Sequence, residues 1–178
     1  MKRILITSGL VFAAVAGLVA QTVARLEIIK TDRLVIAVPD LKGAGAAAPL
    51  MDKFNETLWN ELENCGVLKM APKSMYPLQV PQQPSDLKTP ANPTEKFNGL
   101  ALQDWATPPV SANLVTMGYT SVSGDQLVLQ GWLYEASPKS GKSGQMIATR
   151  YFGPVSTDGA RKVAMEFAAD IMAQFGGK

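Results

Sequence analysis

The chain has 178 residues, 47% of them apolar and 18% charged, with 17 Lys and Arg against 15 Asp and Glu. This length and balance suit one globular domain, and the lack of any basic run excludes a protein that tracks nucleic-acid phosphates. Histidine is absent and cysteine occurs once. That removes Ser-His and Cys-His nucleophiles, imidazole and thiolate metal sites, and any internal disulfide.

Lys2-Arg3 followed by an uncharged apolar run from Ile4 to Ala20 has the basic and hydrophobic regions of a secretory signal. Residues 1–20 are therefore assigned as a signal peptide, with cleavage before Gln21 or, second, before Arg25; the competing reading is an uncleaved membrane anchor. Without Lys2 and Arg3 the 17 basic residues fall to 15, equal to the acidic ones. Residues 21–32 form an arm or an edge strand. Their core, Arg25-Leu26-Glu27-Ile28-Ile29-Lys30, is β-prone with mixed charge.

From Arg33 the pattern becomes that of a folded core. Leu34 to Val38 is an unbroken apolar run rich in β-branched residues, as in a strand buried on both faces, and Pro39 ends it. A loop of small residues, Gly43 to Ala48, leads to a helix predicted over Leu50–Asn64. There Leu50, Phe54, Leu58 and Leu62 share one face, Pro49 sits in the first turn and Gly66 lies just past the end. Val67–Met70 reads as a second strand, so the unit is βαβ and a parallel pair is expected. Cys65, at the helix end, suits a small buried residue better than an intermolecular bridge.

Prolines at 72, 77, 81, 84, 90, 93, 108 and 109 then punctuate a long segment with little periodicity, a length of loop that usually either serves binding or is partly disordered. Within it the spacing of Phe97, Leu100, Ala101 and Trp105 predicts a helix over 94–105. A hairpin follows: a strand over Asn113–Thr120, a turn at Ser123-Gly124-Asp125, and a strand over Gln126–Glu135. Leu127, Leu129 and Leu133 lie on one face of the second strand, with Val128, Trp132 and Tyr134 spread over both. The polar loop Ser137–Gly144 leads to a strand over Gln145–Phe152. A final helix is predicted over Thr157–Phe175, capped by Ser156 or Thr157, complemented by Asp158 and closed by Gly176.

The loop contains Gly141-Lys142-Ser143, the end of a phosphate-loop pattern. Ala136 stands where the first glycine belongs and a strand follows, so this is a solvated hairpin loop and no nucleotide site. The carboxylates are scattered. Asp170, beside the apolar stripe of the last helix, suits a tethering role. No motif supports an enzyme, and no cofactor is called for.

Several stretches, in this order, resemble the amino-terminal domain of the TolB family of the Tol-Pal envelope system. Glu61-Leu62-Glu63-Asn64-Cys65-Gly66-Val67-Leu68 is similar to the family's Asp-Leu-x-x-Ser-Gly-x-Phe turn. Trp105 stands before the central strand, and the hairpin with its Leu133-Tyr134-Glu135 ending follows the family's order. Arg161, Ala164, Ala168 and Asp170 fit its last helix, although Glu166 lies near the place of the family's usual histidine.

The resemblance implies an α+β fold, a mixed sheet of about five strands with two long helices packed on it, similar to the anticodon-binding domains of some aminoacyl-tRNA synthetases. It implies a periplasmic interaction module serving outer-membrane integrity, protein transport and cell division. In the family the segment after signal cleavage engages a TolA-type inner-membrane protein, which places the partner-binding residues at Arg25, Leu26, Glu27, Ile28, Ile29 and Lys30. The family's Pal contacts belong to a following β-propeller, so Pal binding is expected only where a propeller is present elsewhere. The alternative is a related envelope-assembly module like those of the CsgG and LpoB groups, with an outer-membrane or peptidoglycan-associated partner.

Expressed with residues 1–20 in a Gram-negative host, the protein is expected in the osmotic-shock fraction with Gln21 or Arg25 as its first residue. Intact mass showing Met1 retained in a membrane fraction would overturn that expectation.

Overall fold

A computed structural model describes residues 33–92, 94–139 and 142–176. Among these residues six strands make one mixed sheet: β1 (Leu34–Ala37), β2 (Lys42–Gly43), β3 (Leu68–Met70), β4 (Leu114–Ser123), β5 (Gln126–Glu135) and β6 (Gln145–Pro154). Three α-helices among the described residues accompany them: α1 (Met51–Asn64), the single turn and a half of α2 (Leu102–Ala106), and α3 (Thr157–Ala173). The sheet order is β3-β1-β4-β5-β6, with β2 pairing β4 off this path. The α+β class, with two long helices on a mixed sheet, is the architecture anticipated above.

The βαβ unit closes as its pattern requires. β1 runs parallel to β3, with Leu34 opposite Leu68 and Ile36 opposite Met70, and it is also parallel to β4 through Ile36–Leu114 and Ala37–Val115. β2 continues the same column further along β4, with Lys42 opposite Tyr119 and Gly43 opposite Thr120. The β4-β5-β6 meander is antiparallel throughout, with one irregularity at Leu133/Tyr134.

Alternation along the strands divides the interior into two layers. Toward the helices point Ile36, Leu68, Leu114, Leu127, Leu129, Leu133, Ile147 and Tyr151. They meet Phe54, Leu58 and Leu62 of α1 and Ala160, Val163, Ala164, Phe167 and Ile171 of α3. Each fully buried large side chain contributes about 1.5–3 kcal/mol of transfer free energy, so this layer carries most of the apolar stabilisation. On the opposite face, Ala37, Val115, Met117 and Tyr134 are covered by the proline-rich segment through Ala71, Trp105, Val110 and Ala112. That long segment is thus a structural layer. Trp105 is fully buried in it and meets Tyr76 edge-on at 5.4 Å between ring centroids.

Several boundaries differ from the expectations. The loop of small residues is mostly helical, a 3-10 stretch over Gly45–Leu50 that runs into α1. The helix expected over 94–105 shrinks to α2 because its first half is diverted. Asn98 and Gly99 take φ of 53° and 109°, and Asp104 Oδ2 accepts hydrogen bonds from the backbone N–H of Phe97 (3.0 Å) and Gly99 (2.8 Å). A side chain that collects backbone N–H groups competes with the helix ladder. Trp105 Nε1 adds a 2.8 Å bond to the Gly99 carbonyl, holding the turn against α2. Val128, Trp132 and Tyr134 all lie on the loop-side face, not on both, since the pairing with β4 keeps strict alternation. Cys65 is half-buried, its thiol donating to the Leu62 carbonyl at 2.9 Å.

The start of α3 follows its sequence signals. Ser156 caps it by accepting from the Gly159 N–H at 3.0 Å. Gly159 is there for space: a Cβ on it would lie 1.9 Å from the Pro154 carbonyl oxygen. Helix propensity alone says that Gly159→Ala gains up to about 1 kcal/mol. The overlap reverses the sign, and Gly159→Ala is expected to lower stability by about 1–3 kcal/mol in urea unfolding. A neutral or stabilising result would mean that the α3–β6 junction is looser than drawn.

Candidate functional site

The residues assigned to partner binding, Arg25, Leu26, Glu27, Ile28, Ile29 and Lys30, lie outside the described residues. The described body offers two surfaces of its own. The first is the outer edge of β6, ten residues long, to which no described strand pairs. On the face away from the helices Met146, Ala148, Arg150 and Phe152 are exposed, Phe152 by 46%. Trp132 and Tyr119 continue that face inward, their rings 6.1 Å apart. An unpaired edge beside partly apolar side chains can accept an added strand, main-chain bonds giving affinity and alternate side chains register.

The second surface is an open cleft of about 530 Å3 along α1, lined by Asp40, Asp52, Glu56, Trp59, Asn60 and Lys73. Most of its polar groups already serve the fold. Lys73 pairs with Asp40 and places its ammonium 4.8 Å from the Trp59 ring centre. Lys53 pairs with Glu56, and that hydrogen bond and charge hold the Glu56 carboxyl below its usual range. Asn55, which also lines the cleft, is occupied with the backbone of Leu41.

Asp170 tethers helix to sheet, accepting from the Tyr151 hydroxyl at 2.8 Å. Among the described residues no group of three or more His, Cys, Asp or Glu could hold a metal ion, and no helix is long and apolar enough to cross a membrane. Ser137–Gly144, as far as it is described, is a loop between β5 and β6. Sequence reasoning missed both surfaces: the β6 edge depends on strand order, and the cleft joins side chains from three separated segments.

No family model and no curated protein matches the sequence. Solved structures do match. TolB from Acinetobacter baumannii superposes with a TM-score of 0.53 at 14% identity, over 81% of this chain and 29% of the TolB chain. The likeness is one of fold. The present chain thus spans less than a third of that protein's length. The hypothetical protein CT253 from Chlamydia trachomatis matches at TM-score 0.48 and 10% identity over 78% of this chain and 95% of its own. A PelC dodecamer from Paraburkholderia phytofirmans gives 0.44 and 11%, over 78% and 88%.

The tyrosines give the body a defined alkaline limit. Burial pushes the Tyr76 phenol up to about 12. Burial, the Asp170 hydrogen bond and the Asp170 charge raise Tyr151 further, and burial raises Tyr134. In the unfolded chain these phenols titrate near 10, so above that pH the unfolded state binds fewer protons and gains ground. The stability these tyrosines contribute is therefore expected to be constant up to about pH 10 and to fall from there through about pH 12. Tyr76→Phe should make that fall shallower in urea unfolding at stepped pH. An unchanged slope would remove Tyr76 from the account.

Proposed function

We propose that this chain is a protein–protein interaction module of a Tol-Pal-like envelope system. It works in the periplasm after removal of residues 1–20 and supports outer-membrane integrity and cell division without catalysing a reaction. The observation that carries this reading is the fold likeness to TolB over four-fifths of the chain, joined to the ordered sequence resemblance of its turn, hairpin and last helix. The β6 edge supports it as well, because the described body presents a surface suited to strand addition.

On this reading the segment Arg25-Leu26-Glu27-Ile28-Ile29-Lys30 engages the carboxy-terminal domain of a TolA-like inner-membrane protein. A β-prone segment of mixed charge can pair with an exposed sheet edge of its partner. Contact with Pal belongs to a propeller supplied elsewhere. Neither nucleic acid nor nucleotide is a partner.

Deleting Gln21–Thr31 tests the proposal. The shortened protein is expected to keep its melting temperature within a few degrees and to lose TolA-domain binding by at least about tenfold in a calorimeter. TolA binding left intact by the deletion would sink the arm assignment. A large drop in melting temperature would instead make the segment an integral strand.

A further inference from the structure

The outer edge of β6 carries a pattern that complements itself. The Phe152 carbonyl accepts from the Lys162 ammonium at 3.1 Å, so at this residue the backbone faces outward, away from β5. Outward and inward groups alternate along an antiparallel strand, which gives Ala148 and Arg150 the same facing. Their N–H and C=O groups thus point to the side where no described strand pairs. Ala148, Thr149, Arg150 and Phe152 are all exposed.

α3 lies beside this edge and leaves a stripe bare. Lys162, Met165, Glu166 and Ala169 follow at helical spacing and are all exposed, Met165 by 50%. Lys162 reaches the edge itself and pairs with Glu166 along the helix. α1 packs against α3 from the β3 side of the sheet, so the stripe faces the free edge.

We propose that the β6 edge pairs with the β6 edge of a second copy of this chain, in a two-fold dimer centred on Thr149. A two-fold axis normal to the sheet runs the strands antiparallel and keeps their faces, so the two sheets become one. Only registers that set outward residues against outward residues form ladder bonds. An axis through Arg150 would set two guanidinium groups directly opposite, a destabilising pair. An axis through Thr149 sets Ala148 of each copy opposite Arg150 of the other, so a long charged side chain passes a small one. The N–H and C=O groups of both residues then find partners in the copy. Thr149 faces its own counterpart, a favourable cross-strand pair. Met146, at the irregularity opposite Leu133/Tyr134, comes near Phe152 of the copy, joining side chains left 38% and 46% exposed.

The two α3 helices flank the axis, antiparallel, and Ala169 allows them within about 10 Å of each other. A stable interface buries roughly 1,200 Å2 or more in total. The paired strand over residues 146–152 gives part of that area, and Met146, Phe152 and the α3 stripes give the rest. The dimer therefore sits at the small end of the range, with a dissociation constant expected to be micromolar. It draws on the fold alone and holds or fails apart from the envelope reading above.

Sedimentation equilibrium of the protein purified from a host expressing all 178 residues tests the dimer. The mass is expected to move from one chain toward two between ~1 and ~500 μM. Ala148→Glu sets a carboxylate opposite each Arg150 and should tighten the dimer several-fold. Ala148→Lys sets like charges there and should loosen it several-fold, with the melting temperature held in both. The register is read by oxidation in a Cys65→Ser background, which keeps the bond to the Leu62 carbonyl. Thr149→Cys should give a disulfide-linked dimer, because directly opposed α-carbons stand about 4.5–5.5 Å apart. Phe152→Cys should stay uncrosslinked, its counterpart lying about 20 Å away along the strand. If a cysteine variant does not fold, the mass and the two Ala148 variants decide. A mass of one chain up to ~500 μM, equal association of the Ala148 variants, or equal cross-linking at both cysteines would overturn the proposal and leave the edge to a strand of another protein.

Discussion

The structure depends on how the break between β1 and β2 is satisfied. The column beside β4 is interrupted from Val38 to Leu41, where ladder partners are missing although Val38 and Leu41 are buried. Buried backbone groups must find partners, and here side chains supply them. Asn55 of α1 takes both groups of Leu41, accepting from its N–H at 2.9 Å and donating to its carbonyl at 3.0 Å. Tyr76 bridges Val38 N–H and the Ala71 carbonyl, each at 2.9 Å. Gln82 accepts from Lys42 N–H, and Asn113 serves Val35 by side chain and backbone alike. Each bond is worth about 1 kcal/mol net, while an orphaned group costs about 1–3 kcal/mol. The helices on one face and the proline-rich segment on the other are thus pinned to one short stretch, and neither layer can shift without unsatisfying it.

The two layers are held by different means. The helical one is Leu, Phe, Val and Ala packing, non-directional and large in area. The proline-rich one has fewer buried apolar residues and more directed bonds, among them Gln79 N–H to the Asn98 carbonyl, Lys88 N–H to that of Leu100, and Ala112 N–H to that of Trp105. A layer built from turns cannot close its surface as fully as two long helices do. It therefore carries a small cavity lined in part by Asp104, and beyond it the loop-side face of β5 and β6 stays partly open.

What the sequence made legible followed local chemistry. Ser156 capped α3 where a serine before a striped run should, and the hairpin closed between β4 and β5 around Gly124. The β1-α1-β3 unit and the α+β class followed from periodicity and length. The failures lie where distant groups override local preference. Phe97, Leu100 and Trp105 are spaced for a helix, yet Asp104 withdraws two N–H groups from it. The small residues 45–48 looked like loop, yet they form a 3-10 stretch with Ala47 buried in the helix-side core. The candidate site was less legible still. The β6 edge, to which no described strand pairs, is a property of the assembled fold, and no pattern around Gln145–Pro154 announces it.

The burial of Trp105 has a practical side. The chain holds three tryptophans, each in a different setting. Trp105 is sealed in the proline-rich layer, Trp59 lies under the Lys73 ammonium on α1, and Trp132 is half-buried on the open sheet face. Indole emission moves to longer wavelength as water approaches, and a cation near the ring alters its intensity. The molecule thus carries separate optical reporters for its turn-built layer, its outer helix and its free sheet face. With the other two tryptophans replaced, Trp105 fluorescence would show whether the turn-built layer loosens before the helices melt or together with them.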